Sequence, residues 1–375
     1  MKKIIKIILL LSLIFMGSLG RVISDEKIKI GLLVPLTGKN SEIGQSIVKA
    51  TQLAINKINN SKIEIYPKDT RSNPNYTLKS AKEFRELGIR IIIGPVFNDS
   101  LAYLDELDSI TFLSFTNKDS NNSKNIINAG INATSQLKAI QKFIKLNKIK
   151  KTILLTPDVD YKSEIIRAIS SSKLKITKNY IYNPDPTKLT SQIEEITNYA
   201  TRKQNLEDEI IRLENSNENN KEKLIERLKK KDTLGSVKFD SVIIADFDES
   251  LKSVTTSLLY TDIYPKEKYF ITLNQWFDES LLKETSSQPI YFPSVNKNNY
   301  DNFIIEYFDK FKKYPNQLSF LSFDLVGLVY YLVLKNDAVI DEKIFTKKNT
   351  FKGKVGIFEI KNNKMNHVLN FYKVE

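Results

Sequence analysis

The feature that most constrains the fold is a repeated alternation of short apolar runs with segments of helical periodicity. In the first part of the chain the apolar runs cover 27–35, 63–66, 89–93 and 110–115, and the helical segments cover 43–58, 76–87 and 99–107. Continuous apolar runs that alternate with helices are typical of parallel strands buried on both faces. The sequence therefore predicts an α/β unit with a mostly parallel sheet between layers of helices.

The same alternation begins again at residue 134. Helices are predicted at 134–146 and 161–171, and strands at 152–156, 176–182, 241–245, 269–273 and 290–292. One sheet does not need this many strands, and 375 residues are enough for two domains. We therefore predict a second α/β unit, followed by helices at 300–313 and 318–334 and by a β-hairpin over 355–374 that turns at 362–364.

A charged stretch at 198–235 interrupts this alternation. Its apolar residues recur at helical spacing on both sides of 214–220, a segment rich in Asn and Glu, and this pattern predicts a helical hairpin. Two interpretations stay open. The hairpin is either a solvated surface excursion with a thin apolar stripe or an arm that docks on a partner protein.

The first 24 residues have the pattern of a secretory signal peptide. Lys2 and Lys3 precede a mostly apolar run that ends near Gly20, and cleavage is expected near Gly20 or Ser24. A retained membrane anchor is the alternative, although the run is short for a bilayer span of about 20 residues. The chain has no cysteine, which excludes disulfides, a thiol nucleophile and a lipid on an N-terminal cysteine. We expect an exported, unlipidated protein.

The chain is basic, with a net charge of +13, which falls to +9 when the four basic residues of 1–24 are removed. Lysines are spread along the whole chain, so we predict no nucleic-acid binding. A weak attraction to anionic lipid headgroups or cell-wall polymers fits an exported protein better.

Six short motifs carry a family resemblance. They are 30–38 with Gly44, 92–96, 113–117, 156–158 with Tyr161, Trp276 with Asp278, and 323–327. In this order they resemble the Leu/Ile/Val-binding family of type 1 periplasmic binding proteins, and within it the penicillin-binding protein activator group of proteobacteria. The resemblance implies two lobes joined by three crossovers around a ligand cleft. Lobe 1 would be 27–132 plus 294–335, and lobe 2 would be 133–293 plus 336–375.

In such a fold, polar residues that directly follow the strands face the cleft and are candidates for ligand binding. In lobe 1 the candidates are Asn98 and Ser100, which could instead cap a helix that starts near residue 99. Ser114, Thr116 and Asn117 follow the fourth strand in the same way and could instead only terminate it.

In lobe 2 the candidates are Tyr161, Phe247, Asn274 and Trp276. Tyr161 matches a position where the resemblance implies an aromatic ring over the ligand. Trp276, the single tryptophan of the chain, could instead pack between the lobes, because large aromatic rings bury well without a ligand.

One position departs from the family pattern. Amino-acid importers of this family commonly hold the ligand ammonium with a carboxylate, where this chain has Asn274 and Gln275. Asp246 and Asp248 are the nearby acidic residues that could substitute. Specificity for amino acids therefore does not carry over directly.

The sequence offers no catalytic or metal-binding constellation. The single histidine, His367, lies in the predicted C-terminal hairpin, where we expect it at the surface, and there is neither a phosphate loop nor a metal-spaced histidine cluster. We therefore predict a protein that is not an enzyme and uses no cofactor.

Two functions stay open at this point. The first is a periplasmic regulator that resembles the penicillin-binding protein activators and contacts a cell-wall synthase, with 198–235 as the contact arm. The alternative is the substrate-binding protein of an ABC importer, which closes on an amino acid or similar small polar ligand and docks on a permease. The missing carboxylate and the extra hairpin favour the regulator.

Overall fold

The computed structural model describes residues 27–60, 62–118, 123–277, 283, 285–336, 342–345, 348–361 and 364–375. The predicted leader at 1–24, Asp278 of the fifth motif, and residues 362–363 of the predicted hairpin turn lie outside the described residues.

The first sheet has five parallel strands in the order β2-β1-β3-β4-β5. Six of the seven residues of β1 are buried, as expected for a strand that is covered on both faces. The helices α1 and α2 connect the first three strands along the chain. The bounds are β1 (Ile28–Val34), α1 (Ser41–Ile58), β2 (Ile63–Asp69), α2 (Pro74–Glu86), β3 (Ile91–Ile93), β4 (Thr111–Ser114) and β5 (Ile126–Asn128).

The segment between β3 and β4 differs from the prediction. Instead of one helix over 99–107, the chain forms two 3-10 turns, Asn98–Leu101 and Leu104–Glu106. Tyr103 lies between them with a φ of 68°, in the left-handed region, which a right-handed helix cannot contain. The apolar side chains still point inward, because Leu101, Leu104 and Leu107 are buried.

The second sheet has six strands in the order β14-β10-β9-β8-β6-β7, and only β14 is antiparallel to its neighbour. Two apolar cores cover its two faces. The bounds are α3 (Ala133–Leu146), β6 (Thr152–Pro157), α4 (Lys162–Ser172), β7 (Lys178–Tyr182), α5 (Pro186–Thr197), α6 (Tyr199–Glu214), α7 (Lys221–Leu228), β8 (Ser241–Ile244), α8 (Asp248–Tyr260), β9 (Tyr269–Thr272), a 3-10 turn (Thr285–Ser287), β10 (Ile290–Ser294) and β14 (Asn370–Val374).

The chain between β10 and β14 returns to the first lobe. It forms α9 (Lys297–Phe311), α10 (Leu318–Lys335), a 3-10 turn (Glu342–Phe345) and a separate antiparallel sheet of β11 (Asn349–Lys352), β12 (Ile357–Lys361) and β13 (Lys364–Val368). The sequence assigned 336–375 to lobe 2, but Phe345, Phe358 and Met365 pack in the core that contains β1, and β14 joins the second sheet. The exact lobe boundaries stay a prediction.

Helix α10 is the central helix of the first lobe. Among the described helices it alone is long and apolar enough to cross a membrane by those two criteria, but most of its side chains are buried. Its serines pair with α1, because the hydroxyls of Ser319 and Ser322 lie 2.7 and 2.8 Å from those of Ser46 and Thr51. Its apolar side chains therefore pack in the core of the first lobe.

Three short connections join the lobes, at 129–132, 295–296 and 369. They follow β5, β10 and β13, which leaves the ends of four parallel strands in each sheet free to carry loops. The predicted fold class is confirmed: two lobes, each with a mostly parallel sheet flanked by helices, and a helical hairpin at α6 and α7.

Candidate functional site

On lobe 1, the loop after β3 presents two buried polar atoms. Gly94 starts this loop with a φ of 109°, and a Cβ there would lie 2.2 Å from the carbonyl oxygen of Leu33, so only glycine fits. Asn98 Oδ1 and Ser100 Oγ follow, and neither has a hydrogen-bond partner among the described residues. Neither side chain caps a helix, because the 3-10 turn begins after Phe97 without a side-chain cap. Buried polar atoms are normally paired, so these two stand out as unsatisfied, and ligand binding by Asn98 and Ser100 stays a prediction.

The residues after β4 hold the loop itself. The Ser114 hydroxyl donates to the Pro95 carbonyl at 3.0 Å and accepts from the Thr116 amide at 3.2 Å. Thr116 Oγ1 accepts from the Lys118 amide at 3.2 Å, and Asn117 is exposed. Ser114 and Thr116 therefore stabilise the end of the strand, and ligand binding by Ser114, Thr116 and Asn117 stays a prediction.

On lobe 2, the carboxylate of Asp246 is surrounded by donors. Both the Tyr182 and Tyr161 hydroxyls donate to it, the latter at 3.4 Å, and the Phe247 amide donates to Oδ1 at 2.9 Å. Burial raises the pKa of both tyrosines, and the charge of Asp246 raises it further. Because Asp246 is 5% exposed and already has three donors, it is not free to bind an ammonium group.

An aromatic pair lies beside this carboxylate. The rings of Tyr161 and Phe247 are 5.9 Å apart in an edge-to-face arrangement, and both are partly buried. The single hydroxyl proton of Tyr161 is shared between Asp246 and the Ala245 carbonyl, which lies 3.2 Å away, and this fixes the ring. Tyr182, which completes the network, was not identified from the sequence, because it precedes Asp246 by 64 residues.

Asn274 and its neighbours stabilise the loop after β9. Asn274 Oδ1 accepts from the Trp276 amide at 3.0 Å and from the Ser294 hydroxyl at 2.9 Å. Gln275 Nε2 donates to Thr272 Oγ1 at 2.9 Å. Ser294 is the last residue of β10 and directly precedes the second crossover. The hydrogen bonds of Asn274 therefore lie next to the connection between the lobes.

Trp276 itself has a left-handed backbone with a φ of 50°, and its ring packs toward lobe 1. Its ring lies 6.1 Å from that of Tyr300 on α9 and is partly buried against the first core. Trp276 thus packs between the lobes, and contact with a ligand stays a prediction.

The expectation of a surface position for His367 is wrong. Its side chain is 6% exposed, and Nε2 lies 2.8 Å from the carbonyl oxygen of Ala129. Burial lowers its pKa to about 4, although the Ala129 carbonyl opposes the shift. The neutral ring therefore donates to the first crossover, and the His367 amide donates to Ser135 Oγ at 2.9 Å.

The hairpin of α6 and α7 is fixed at its base by Arg202. The guanidinium is buried and donates to the carbonyls of Thr197 and Thr261 and to the Thr233 hydroxyl. The Leu234 amide donates to the Arg202 carbonyl at 2.9 Å, so the two ends of the hairpin lie side by side. The predicted helical hairpin at 198–235 is thus present and is rigidly mounted.

A cavity of about 620 Å³ lies at the opposite edge of lobe 2 from these loops, at the starts of β9 and β10. Tyr269, Tyr291 and three lysines line it. Within the described part of the chain, no group of three or more acidic or histidine side chains could hold a metal ion.

Comparison with known proteins supports the fold. Residues 27–201 match a family model described as periplasmic binding protein. No curated protein matches the chain in sequence. The three solved structures described next are each below 25% identical to the chain, so the likeness concerns the fold.

Three of these structures show the range of the fold. A protein from Rhodospirillum rubrum that is assigned to a branched-chain amino acid ABC transporter has a TM-score of 0.71 at 12% identity and covers 93% of this chain and 98% of its own. The C-domain of LpoA from Haemophilus influenzae, a regulator of PBP1A, has 0.61 at 14%, with 92% and 97% covered. A solute-binding protein of an ABC transporter from Rhodopseudomonas palustris, in complex with 3,4-dihydroxybenzoic acid, has 0.59 at 16%, with 94% of each chain covered.

Proposed function

Because the chain has the fold of the type 1 periplasmic binding proteins, we propose that it is a non-enzymatic periplasmic regulator that contacts a cell-wall synthase through its surface. The observation that carries this proposal is the helical hairpin formed by α6 and α7. A regulator that acts by contact needs a stable, exposed surface outside the cleft, and the hairpin supplies one.

The hairpin contributes little to the cores of the lobes. No residue of 199–235 belongs to the four apolar clusters of the described chain. Leu206 and Leu213 are buried but lie outside these clusters, α7 has no buried residue, and Ile211 is 54% exposed. A segment that the cores do not need, yet that is fixed at its base by Arg202, is well suited to hold a partner.

The polar residues expected at the cleft also favour a regulator over an amino-acid importer. A receptor for amino acids needs a group that pairs with the ligand ammonium, and a buried charge is stable only when it is paired. Asp246 already accepts hydrogen bonds from Tyr161, Tyr182 and the Phe247 amide. Gln275 is likewise engaged with Thr272. An amino-acid importer is therefore the weaker candidate.

A receptor for a different small ligand is the second candidate, and the unpaired atoms of Asn98 and Ser100 favour it. A ligand hydroxyl could donate to Asn98 Oδ1, and the Ser100 hydroxyl could donate to a ligand oxygen, while the Tyr161 and Phe247 rings cover a flat apolar part. Thermal unfolding with a panel of amino acids, aromatic acids and peptidoglycan fragments tests this candidate. A ligand at 100 times its Kd should add about 2.7 kcal/mol of stability.

The regulator is tested by measuring the affinity of the leader-free chain for purified peptidoglycan synthases. Because the ends of the hairpin are adjacent, 205–231 can be replaced by a short Gly-Ser linker that keeps Arg202 and Thr233. The replacement should weaken binding at least tenfold, while Lys82→Ala on α2 of lobe 1 should not change it. Equal affinity of the hairpin replacement and the parent chain would refute the contact arm, and a ligand-induced stabilisation by amino acids would favour the importer.

A further inference from the structure

Lobe 1 carries a surface patch that the cleft and the hairpin do not use. It lies at the end of α9 and in the loop before α10, where exposed apolar side chains alternate with lysines. Tyr314 is 75% exposed and Ile305 is 58% exposed, among the largest values for apolar side chains in the described chain. The α9 patch consists of Lys49, Ile305, Phe308, Lys310, Phe311, Lys312, Lys313 and Tyr314.

The rings and the ammonium groups of the patch form one continuous surface. The Phe308 and Tyr314 rings are 4.9 Å apart, and Lys312 Nζ lies 5.9 Å from the Phe308 ring. Phe311 follows Phe308 by three residues on α9, and Lys49 on α1 and Lys310 on α9 place Nζ 5.6 and 5.9 Å from its ring. Ile305 precedes Phe308 by three residues and so lies on the same side of α9. Contiguous apolar surface with this charge is different from scattered exposed side chains.

Hydrogen bonds to Ser46 on α1 hold the loop between α9 and α10 in place. Ser46 Oγ on α1 accepts from the Asn316 amide at 2.8 Å, contacts the Ser319 hydroxyl at 2.7 Å and accepts from the Tyr307 hydroxyl at 3.2 Å. All three partners flank the exposed loop. Because the loop is already ordered, binding there costs little conformational entropy.

The charges of the patch are unbalanced. In the described residues no ion pair joins Lys49, Lys310, Lys312 or Lys313 to a carboxylate, and Asp309 is the single acidic residue between 308 and 314. Lysines near a surface attract anionic headgroups, and aromatic rings with a polar edge prefer the bilayer interface. We propose that the α9 patch binds the surface of an anionic phospholipid bilayer, with Tyr314 and Ile305 entering the headgroup region.

This inference is independent of the cleft and of the proposed synthase contact. It is tested by co-sedimentation of the leader-free chain with vesicles of phosphatidylglycerol and phosphatidylcholine in low salt. All described strands and helices lie within 27–375, so this chain keeps the whole fold. The test variant is Lys310→Gln, Lys312→Gln and Lys313→Gln together. The matched control is Lys229→Gln, Lys230→Gln and Lys231→Gln at the end of α7, which removes the same charge.

We expect the parent chain to bind phosphatidylglycerol vesicles and not pure phosphatidylcholine. Each lysine near an anionic surface contributes roughly a fivefold factor, so the α9 triple variant should lose at least tenfold in partition coefficient. The control should bind nearly as the parent does. Tyr314→Ser, at a position that is 75% exposed, should weaken the binding that remains at high salt.

Three results would overturn the proposal. The first is no binding of the parent chain to phosphatidylglycerol vesicles. The second is an equal loss in both triple variants, which would mean that net charge alone is responsible. The third is equal binding to phosphatidylcholine, which would exclude recognition of the anionic headgroup.

Discussion

The imidazole Nε2 of His367 lies 2.8 Å from the carbonyl oxygen of Ala129, and this contact joins the third crossover to the first. Asn132 adds a second link, because its Nδ2 donates to the Met365 carbonyl at 3.0 Å. Both contacts lie where the chain passes between the lobes. The single histidine is thus a structural group of the hinge, and its buried neutral ring is not placed to serve as a general base.

The burial of His367 predicts a pH dependence of stability. Its pKa is lowered from 6.5 to about 4, so between these values only the unfolded chain takes up the proton. The contribution of His367 to the free energy of unfolding should therefore be largest above pH 6.5 and should fall by about 3 kcal/mol as the pH approaches 4. Urea unfolding at pH 7 and pH 4.5 measures this change.

The control for that experiment is His367→Gln, which can still donate to Ala129 but does not titrate. Asp324, whose pKa burial raises to about 7, titrates in the same range with the opposite sign, because the folded chain takes up its proton first. Only the difference between parent and variant therefore reports on His367. An identical pH dependence in both chains would mean that the pKa of His367 is not lowered in the folded state. That result would contradict its assignment as a buried, neutral group of the hinge.

Gly353 is predicted to be intolerant of any side chain. Asp324 accepts from the amides of Lys354 and Val355 at 2.8 and 2.7 Å, and a Cβ on Gly353 would lie 2.1 Å from Asp324 Oδ2. Gly353→Ala should cost about 2–4 kcal/mol of unfolding free energy, since the loop must move and the buried carboxylate loses its donors. Gly327→Ala within α10 has room, with its nearest neighbour at 3.5 Å, and should be neutral or stabilising. Equal changes in the free energy of unfolding for Gly353→Ala and Gly327→Ala would show that the close approach of Gly353 to Asp324 does not exclude a side chain.

Arg202 should control the order of the hairpin. Arg202→Met leaves the acceptors of Thr197, Thr233 and Thr261 without their donor, which should cost about 2–4 kcal/mol. Limited proteolysis should then cut within 199–235 faster than in the parent chain. Arg212→Met, which removes an exposed pair with Glu209, should change stability by less than about 1 kcal/mol. Unchanged proteolysis in the Arg202 variant would mean that other contacts hold the hairpin.

Tyr182 should stabilise the buried carboxylate of lobe 2. Tyr182→Phe removes a donor to Asp246 without opening a cavity and should cost about 1–3 kcal/mol. Tyr76→Phe, whose ring is 44% exposed, is the matched control and should have no measurable effect. A Tyr182 variant as stable as the parent in urea unfolding would indicate that Asp246 is not held by this hydroxyl.

Much of the fold could be predicted because strands buried on both faces leave continuous apolar runs. β1 and β6 are of this kind, as six buried residues in each show. β5 was missed because it has three residues and polar neighbours, and so leaves no such run. The helix expected at 99–107 failed at Tyr103, whose left-handed backbone has no apolar signature.

The candidate site was harder to predict, because its contacts join distant parts of the chain. Asp246 and Tyr182 are 64 residues apart, and no local pattern links them. For His367 a signal was present: Met365 and His367 alternate with more exposed residues in β13, which places both on the side that faces the core. The prediction of a surface position rested on the place of His367 in a C-terminal hairpin and did not use that alternation.

The most direct test of the synthase contact is site-specific crosslinking in cells that produce the protein. A photo-crosslinking residue at Ile211, which is 54% exposed on α6, should yield an adduct with a peptidoglycan synthase. The same residue at Tyr76, on lobe 1 and also exposed, should not. An adduct at Ile211 alone is the result we expect. Adducts with a permease, or no adduct at Ile211 in a chain that folds normally, would contradict a hairpin that contacts the synthase.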